Sequence, residues 1–171
     1  MKNLYKIAAF TFAMFGFTVA ANAQSTATSE PVTASATVVT PININHTGVL
    51  NFGDVIATPG VVTISPEAAR STTQSNVDAS VNVIGIEAPV FTVTGQKGYS
   101  YVVSFSPNVE LTNTTDAQTM TINNFTTTAG TGLLDATTGE QQFSVGADLT
   151  VSGTQTEGIY TGTYEVTVNY N

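Results

Sequence analysis

Tyr160-Thr161-Gly162-Thr163-Tyr164-Glu165-Val166-Thr167-Val168-Asn169-Tyr170 alternates without a break and is followed by Asn171. Tyr160, Gly162, Tyr164, Val166, Val168 and Tyr170 fall on one side. Thr161, Thr163, Glu165, Thr167 and Asn169 fall on the other. A period of two over this length predicts a β-strand with one apolar face. Such a strand is expected to pair, either within its own sheet or with a neighbouring molecule.

Working upstream, the same period recurs in short runs. Val32 to Asn45 alternates through Val32, Ala34, Ala36 and Val38, breaks at Val39-Thr40-Pro41, and resumes at Ile42 and Ile44. Pro41 cannot donate to a ladder, which predicts an edge, a bulge or a break there. His46-Thr47-Gly48 reads as a turn. Val49 to Ala57 places Leu50 and Phe52 inward, and Val61 to Ser65 and Asn76 to Ile84 read as further strands. Pro89–Thr94 and Tyr99–Ser106 are expected to form a hairpin through Gly95-Gln96-Lys97-Gly98. Thr119 to Thr128 shifts phase near Asn123. Gln142–Val145 and Asp148–Ser152 read as two strands flanking Gly146-Ala147. Pro66–Ser75 reads as an irregular loop or a helical turn, with Glu67-Ala68-Ala69-Arg70 as its helix-favouring run, and Ala129–Gly139 as a loop with Leu133 and Leu134 tucked in. Roughly eight to ten short strands, with 14 glycines and 31 threonines, predict an all-β antiparallel sandwich.

The first residues read as a processing signal. Lys2 and Lys6 precede a mostly apolar run, Ile7 to Ala20, and Ala21-Asn22-Ala23 is a small-x-small cleavage site. The run is too short to span a bilayer as a helix. Residues 1–23 are therefore expected to be a signal peptide, 24–31 a flexible polar segment, and 32–171 one β-sandwich domain. Export to the periplasm, outer surface or extracellular space follows, with no integral membrane segment after processing. The processed chain keeps Arg70 and Lys97 against 12 acids, so it has no basic footprint for nucleic acid. With no Cys, thiolate metal sites are excluded.

Candidate chemistry is sparse. His46 is the only His, with Asn45, Thr47 and Asp54 as its nearest polar neighbours in sequence. One imidazole without a partner reads as a solvated turn residue. A Gly-x-Ser-x-Gly nucleophile elbow is absent. Asn113-Thr114-Thr115-Asp116 and the Asp135-to-Glu140 loop are the modest candidates for Ca²⁺, and neither follows the spacing of a calcium loop. Tyr99, Tyr101, Val103 and Phe105 share a strand face, as do Tyr160, Tyr164 and Tyr170. Such stripes could stack on a sugar, but at strand spacing they read as core. No catalytic, cofactor-binding or metal residue is assigned, no cofactor is called for, and the chain is read as a non-enzyme.

Three groups of segments, in order, carry a resemblance. They are Ala36-Thr37-Val38-Val39-Thr40-Pro41-Ile42 running into Leu50-Asn51-Phe52-Gly53, then Phe91-Thr92-Val93-Thr94-Gly95 with Phe143-Ser144-Val145-Gly146, and last Gly158 to Tyr164 leading into Val166-Thr167-Val168-Asn169-Tyr170. Together they resemble the domain of unknown function 4402 family of exported bacterial proteins. That family is distantly similar to spore-coat-U and chaperone–usher pilus subunits, which usually carry a Cys near the first strand where this chain has none. The resemblance implies an Ig-like, pilin-like sandwich. It also implies an exported structural protein of the cell surface, pairing with itself or related subunits by β-strand addition. The alternative expectation is a self-complete surface sandwich that binds polysaccharide or protein through its loops.

Overall fold

The computed structural model describes residues 28–75 and 84–171. The strand expected over Asn76–Ile84 lies almost entirely outside these residues. Two units are distinguished, Met1–Thr37 and Val38–Asn171. The described part of the first, 28–37, is exposed throughout and holds no strand or helix. Among the described residues, no helix is long and apolar enough to cross a membrane.

The second unit is all-β. Its strands are β1 (Asn43–Thr47), β2 (Gly60–Ile64), β3 (Arg70–Thr72), β4 (Val90–Thr94), β5 (Tyr101–Phe105), β6 (Val109–Asn113), β7 (Thr119–Thr127), β8 (Glu140–Val151), β9 (Tyr160–Thr161) and β10 (Val166–Tyr170). The larger sheet runs β1-β4-β8-β7-β6-β9, with β2 also on β8 and β3 on β2; β5 and β10 form a second sheet. All pairings are antiparallel. The result is the expected sandwich, with one large curled layer and one small one.

The long strand β8 is the spine. Its first half, Glu140–Ser144, pairs with β4, and its second half, Ala147–Val151, pairs with β2. Its other edge carries β7, with a register shift between Asn123 and Thr126 where Asn124 has φ +50°. That bulge is the phase shift legible in the sequence. Gly146-Ala147 does not break β8 into two strands as expected. Gly146 is there because the backbone leaving β2 passes over it; a Cβ would lie 2.2 Å from the Ile64 carbonyl oxygen.

The expected β4–β5 hairpin does not form. β4 already has β1 on one edge and β8 on the other, whereas β5 pairs with β10 in the facing sheet. The residues between them therefore carry the chain across the sandwich. Burial explains the choice: Phe91 and Val93 of β4 and Tyr101 of β5 all sit in one core cluster, and inward side chains from opposite layers fill it together.

The Tyr160–Tyr170 stretch keeps its alternation but changes partner midway. β9 pairs with β6 and β10 with β5, so residues 162–165 cross between layers. Residues 161, 163, 165, 167 and 169 are exposed, while Tyr160, Tyr164, Val166, Val168 and Tyr170 are buried or half-buried. Alternation thus reports the buried face for the large side chains, while Gly162, at an inward position within the crossing, is exposed.

The core has two parts. One gathers Phe52, Val62, Ile64, Val109, Met120, Ile122, Leu149 and Val151. The other gathers Phe91, Val93, Tyr101, Leu134, Phe143, Val145 and Val168. Each fully buried aliphatic or Phe side chain contributes about 1.5–3 kcal/mol. Phe125 and Tyr164 pack against both parts. Residues 49–57 were expected as a strand; only Asn51 makes a bridge, to Glu87, yet Phe52 is buried as its parity suggests. Of the two leucines expected to tuck in, only Leu134 is fully buried; Leu133 bridges Ser100 in extended backbone, where successive side chains point to opposite sides, and is exposed.

Two expectations near the start also change. The alternating Val32–Val38 run is not in a strand, and strand pairing begins only at Asn43. Val32 and Val38 are 89% and 96% exposed, so no inner face forms there among the described residues. His46 and Thr47 do not turn; they end β1, opposite Phe91 and Val90. The turn falls at Gly48, whose φ of +77° favours glycine.

Candidate docking groove

Position parity along β1 locates the site. Ile42, Ile44 and His46 share the face that should look inward. Ile42 and Ile44 do pack against the core, yet His46 is exposed. An inward position that meets solvent marks the end of the covering layer. His46 lies instead on Phe91, ring centroids 5.6 Å apart and planes at 37°.

The gap is a groove of about 430 Å³ lined by Ile44, His46, Leu50, Phe91, Tyr164 and Val166 at its sides. Val109, Leu111 and Ile122 of β6 and β7 lie among its other lining residues. No lining residue is Asp, Glu, Lys or Arg. Beside β4, β6 and β7, three further elements line it. β1 supplies an edge, because its neighbour in the larger sheet is β4 alone among the described strands. The Gly48–Leu50 turn forms one wall, and the crossing residues 162–166 form the other.

Tyr164 gives the groove a titratable wall. Burial pushes its phenol up to about 12. In the unfolded chain a tyrosine ionises near pH 10, about its ordinary value. Between about pH 10 and about 12 the unfolded chain has therefore lost a proton that the folded chain keeps. The stability tied to this group is whole below about pH 10 and is lost as pH rises through about 12. Burial raises Tyr101 in the same direction. The unfolding midpoint is expected to fall across that window, and Tyr164→Phe to flatten the fall. Identical alkaline slopes for the two proteins would remove Tyr164 as its source.

The other candidate residues are occupied by local structure. Asn113 is buried, and its Oδ1 accepts from Thr115 N at 2.8 Å. One Asp116 oxygen accepts from the Thr156 hydroxyl and the other from Gln118 N. The Thr156 bond first, then the Gln118 amide, holds the Asp116 carboxyl below its ordinary value. Asp135 accepts from the amides of Thr138 and Thr137, both at 2.7 Å, and from the Thr138 hydroxyl. Those bonds, the Thr138 amide foremost, lower its pKa too. Both sites are turn-forming Asp residues. Among the described residues, no group of three His, Cys, Asp or Glu comes together to hold a metal.

The aromatic stripes line the core. Tyr101 is buried and its hydroxyl donates to Gln141 Oε1 at 2.8 Å; Tyr99 sits at the rim, edge-on to Tyr170. Of the two segments expected as loops, Pro66–Ser75 instead contains β3, which pairs with β2, and both segments are tied down. Gln74 is buried and its Nε2 donates to Ile56 O and Thr58 O. Gln141 Nε2 donates to Ala129 O, and Leu133 N donates to Gln141 Oε1. A second, more polar groove of about 730 Å³ runs between residues 49–57 and 155–162, with Asp54 and Glu157 among its lining residues.

Sequence reasoning placed His46 in a turn and so missed the groove. The available signal was the Ile42, Ile44, His46 parity, which carries β1 two residues further than the turn reading allowed. The rest of the site is assembled from segments far apart in the chain.

A model of one protein family, the domain of unknown function DUF4402, matches residues 42–170. The match begins one residue before β1 and ends at the last residue of β10. No curated protein and no solved structure matches the chain.

Proposed function

We propose that this chain, which belongs to the DUF4402 family, is an exported, non-enzymatic structural subunit of the cell surface that assembles by β-strand addition. The supporting observation is the state of Val32-Thr33-Ala34-Ser35-Ala36-Thr37-Val38. It alternates like a strand, carries no charge, and stands exposed outside any strand. An extended segment of this kind gains main-chain hydrogen bonds by joining a sheet edge, and its alternate side chains supply selectivity. The signal-like residues 1–23 support export.

The test compares residues 24–171 with residues 39–171 by sedimentation and thermal unfolding. Starting at Val39 keeps β1 and its backbone contacts. The longer chain is expected to form concentration-dependent multimers, and the shorter to stay monomeric with the same unfolding midpoint. Two monomers of equal stability would overturn strand addition and favour a self-complete binding module.

A further inference from the structure

We infer that the second, more polar groove, between residues 49–57 and 155–162, is a binding site for a small amphiphilic cation: an aliphatic chain bearing one ammonium group. The site is independent of how copies of the chain associate.

The groove follows from how the larger sheet is covered. Leu111 pairs with Met120 and Ile122 with Leu149, so these side chains share the inner face of β6, β7 and β8. Residues 49–57 lie over that face outside any strand, with Phe52 buried against it. Between this cover and residues 155–162 a gap of about 730 Å³ remains, with Phe52, Leu111, Met120 and Leu149 among its lining residues. Sites for small molecules span about 300–1,000 Å³. Val49 and Ile159, 58% and 70% exposed, carry the apolar lining out to the rim.

Both walls are anchored, so the gap is formed before a ligand arrives. In the cover, Asn51 N donates to Glu87 O at 2.9 Å, and Asn51 O accepts from Glu87 N at 3.2 Å. Across the gap, Thr156 N donates to Gln118 Oε1 at 3.1 Å, and the Tyr160 hydroxyl donates to Thr156 O at 2.9 Å. The buried Asn113 donates through Nδ2 to Glu157 O at 3.4 Å, which fixes the backbone that carries the Glu157 carboxylate.

Charge selects the ligand. Most polar side chains of the lining are already engaged by the fold. Asn51 Oδ1 accepts from Gly53 N, Gln155 Oε1 accepts from Gly153 N, and the Thr156 hydroxyl donates to Asp116. Asp54 and Glu157 differ: among the described residues, neither carboxylate has a hydrogen bond or an ion pair. Neither Arg70 nor Lys97 belongs to the lining. The groove therefore offers an apolar floor and two uncommitted negative charges. A sugar would find few amide or hydroxyl partners left, and an anion would be repelled. An ammonium on an aliphatic chain satisfies both features, with its chain on the floor and its head in water beside exposed carboxylates.

Met120 is the only Met in residues 24–171, and it lines this groove but not the one beside β1. Methyl-labelled methionine therefore gives one NMR signal, at the groove floor. Octylamine, charged at pH 7, is titrated into residues 24–171, with 1-octanol and octanoate as neutral and anionic probes of equal chain length. The expected result is a saturable shift of the Met120 methyl, with octylamine binding about tenfold tighter than either comparison and weakening as salt is raised. The double variant Asp54→Asn/Glu157→Gln should lose about tenfold in octylamine affinity and leave octanol within about twofold. Glu67→Gln/Glu140→Gln removes the same charge at exposed positions outside the lining and should change octylamine binding less than about twofold. Ile159→Ser should weaken octylamine about threefold or more through the lost apolar rim. All these positions are exposed, so the unfolding midpoint should hold. Equal losses in the two double variants would reduce binding to overall charge and overturn the site. Octanol binding as tightly as octylamine would overturn the cation. An unmoved Met120 methyl would overturn the groove. None of these outcomes bears on self-association, which is measured separately.

Discussion

Gly146→Ala is expected to destabilise the folded unit by about 3 kcal/mol or more. The new Cβ would stand 2.2 Å from Ile64 O, 2.7 Å from Ser65 C and 2.8 Å from Pro66 N. All three are backbone atoms, so no rotamer change relieves the clash. Ordinary contact requires the end of β2 to retreat by about 1 Å. Ile64 is fully buried and pairs with Ala147, so the retreat would open the ladder between β2 and β8 and loosen Val62 and Leu149 with it. The comparison is Gly130→Ala. Gly130 has open space around it but a φ of +60°, so its replacement should cost only the conformational penalty of about 1 kcal/mol. Urea unfolding of both variants decides the matter. Equal losses would mean that the crossing of β2 over β8 is loose and does not set the fork of the large sheet.

Phe125→Ala is expected to cost about 3 kcal/mol, near the low end for a core Phe because the ring is only half-buried. Phe125 stacks on Phe105 with centroids 5.3 Å apart and planes at 9°, and on Tyr164 at 5.1 Å and 29°. The three rings come from β7, β5 and the crossing residues 162–165. They tie the two parts of the core together, since Phe125 and Tyr164 touch both. Truncation should therefore do more than lower the midpoint. The two parts should begin to unfold separately, broadening the urea transition and lowering its apparent slope. Phe125→Leu should keep most of the packing and lose about 1 kcal/mol. A sharp transition for Phe125→Ala with a loss under about 1 kcal/mol would show that the stack is peripheral.

How much of this was legible beforehand depends on the range of the interaction. The inward face of the last stretch follows from side-chain parity, a property of the extended backbone itself. It therefore still turns Tyr164 inward where residues 162–165 leave the ladder, although Gly162 is exposed. The bulge near Asn123 was legible for the same reason. Strand partners were not. Gly95-Gln96-Lys97-Gly98 has the composition of a hairpin turn, yet both edges of β4 are taken by strands from distant parts of the chain. Likewise Gly146 looked like a break because composition cannot distinguish a turning glycine from one that lets another backbone pass.

The candidate groove shows the same division. No motif announced it, because its walls come from β1, the Gly48 turn, β6, β7 and the crossing before β10. Only the parity of Ile42, Ile44 and His46 hinted that an inward residue would meet solvent. By itself, the order of residues determined the all-β class, the family, the inward face of most strands and the uncharged character of Val32–Val38, since each is a local or compositional property. Tertiary structure alone decided which strands pair, that Gly146 is a crossing point, and that the core opens beside His46. Those outcomes are set by competition among distant segments for the same sheet edges and the same buried volume.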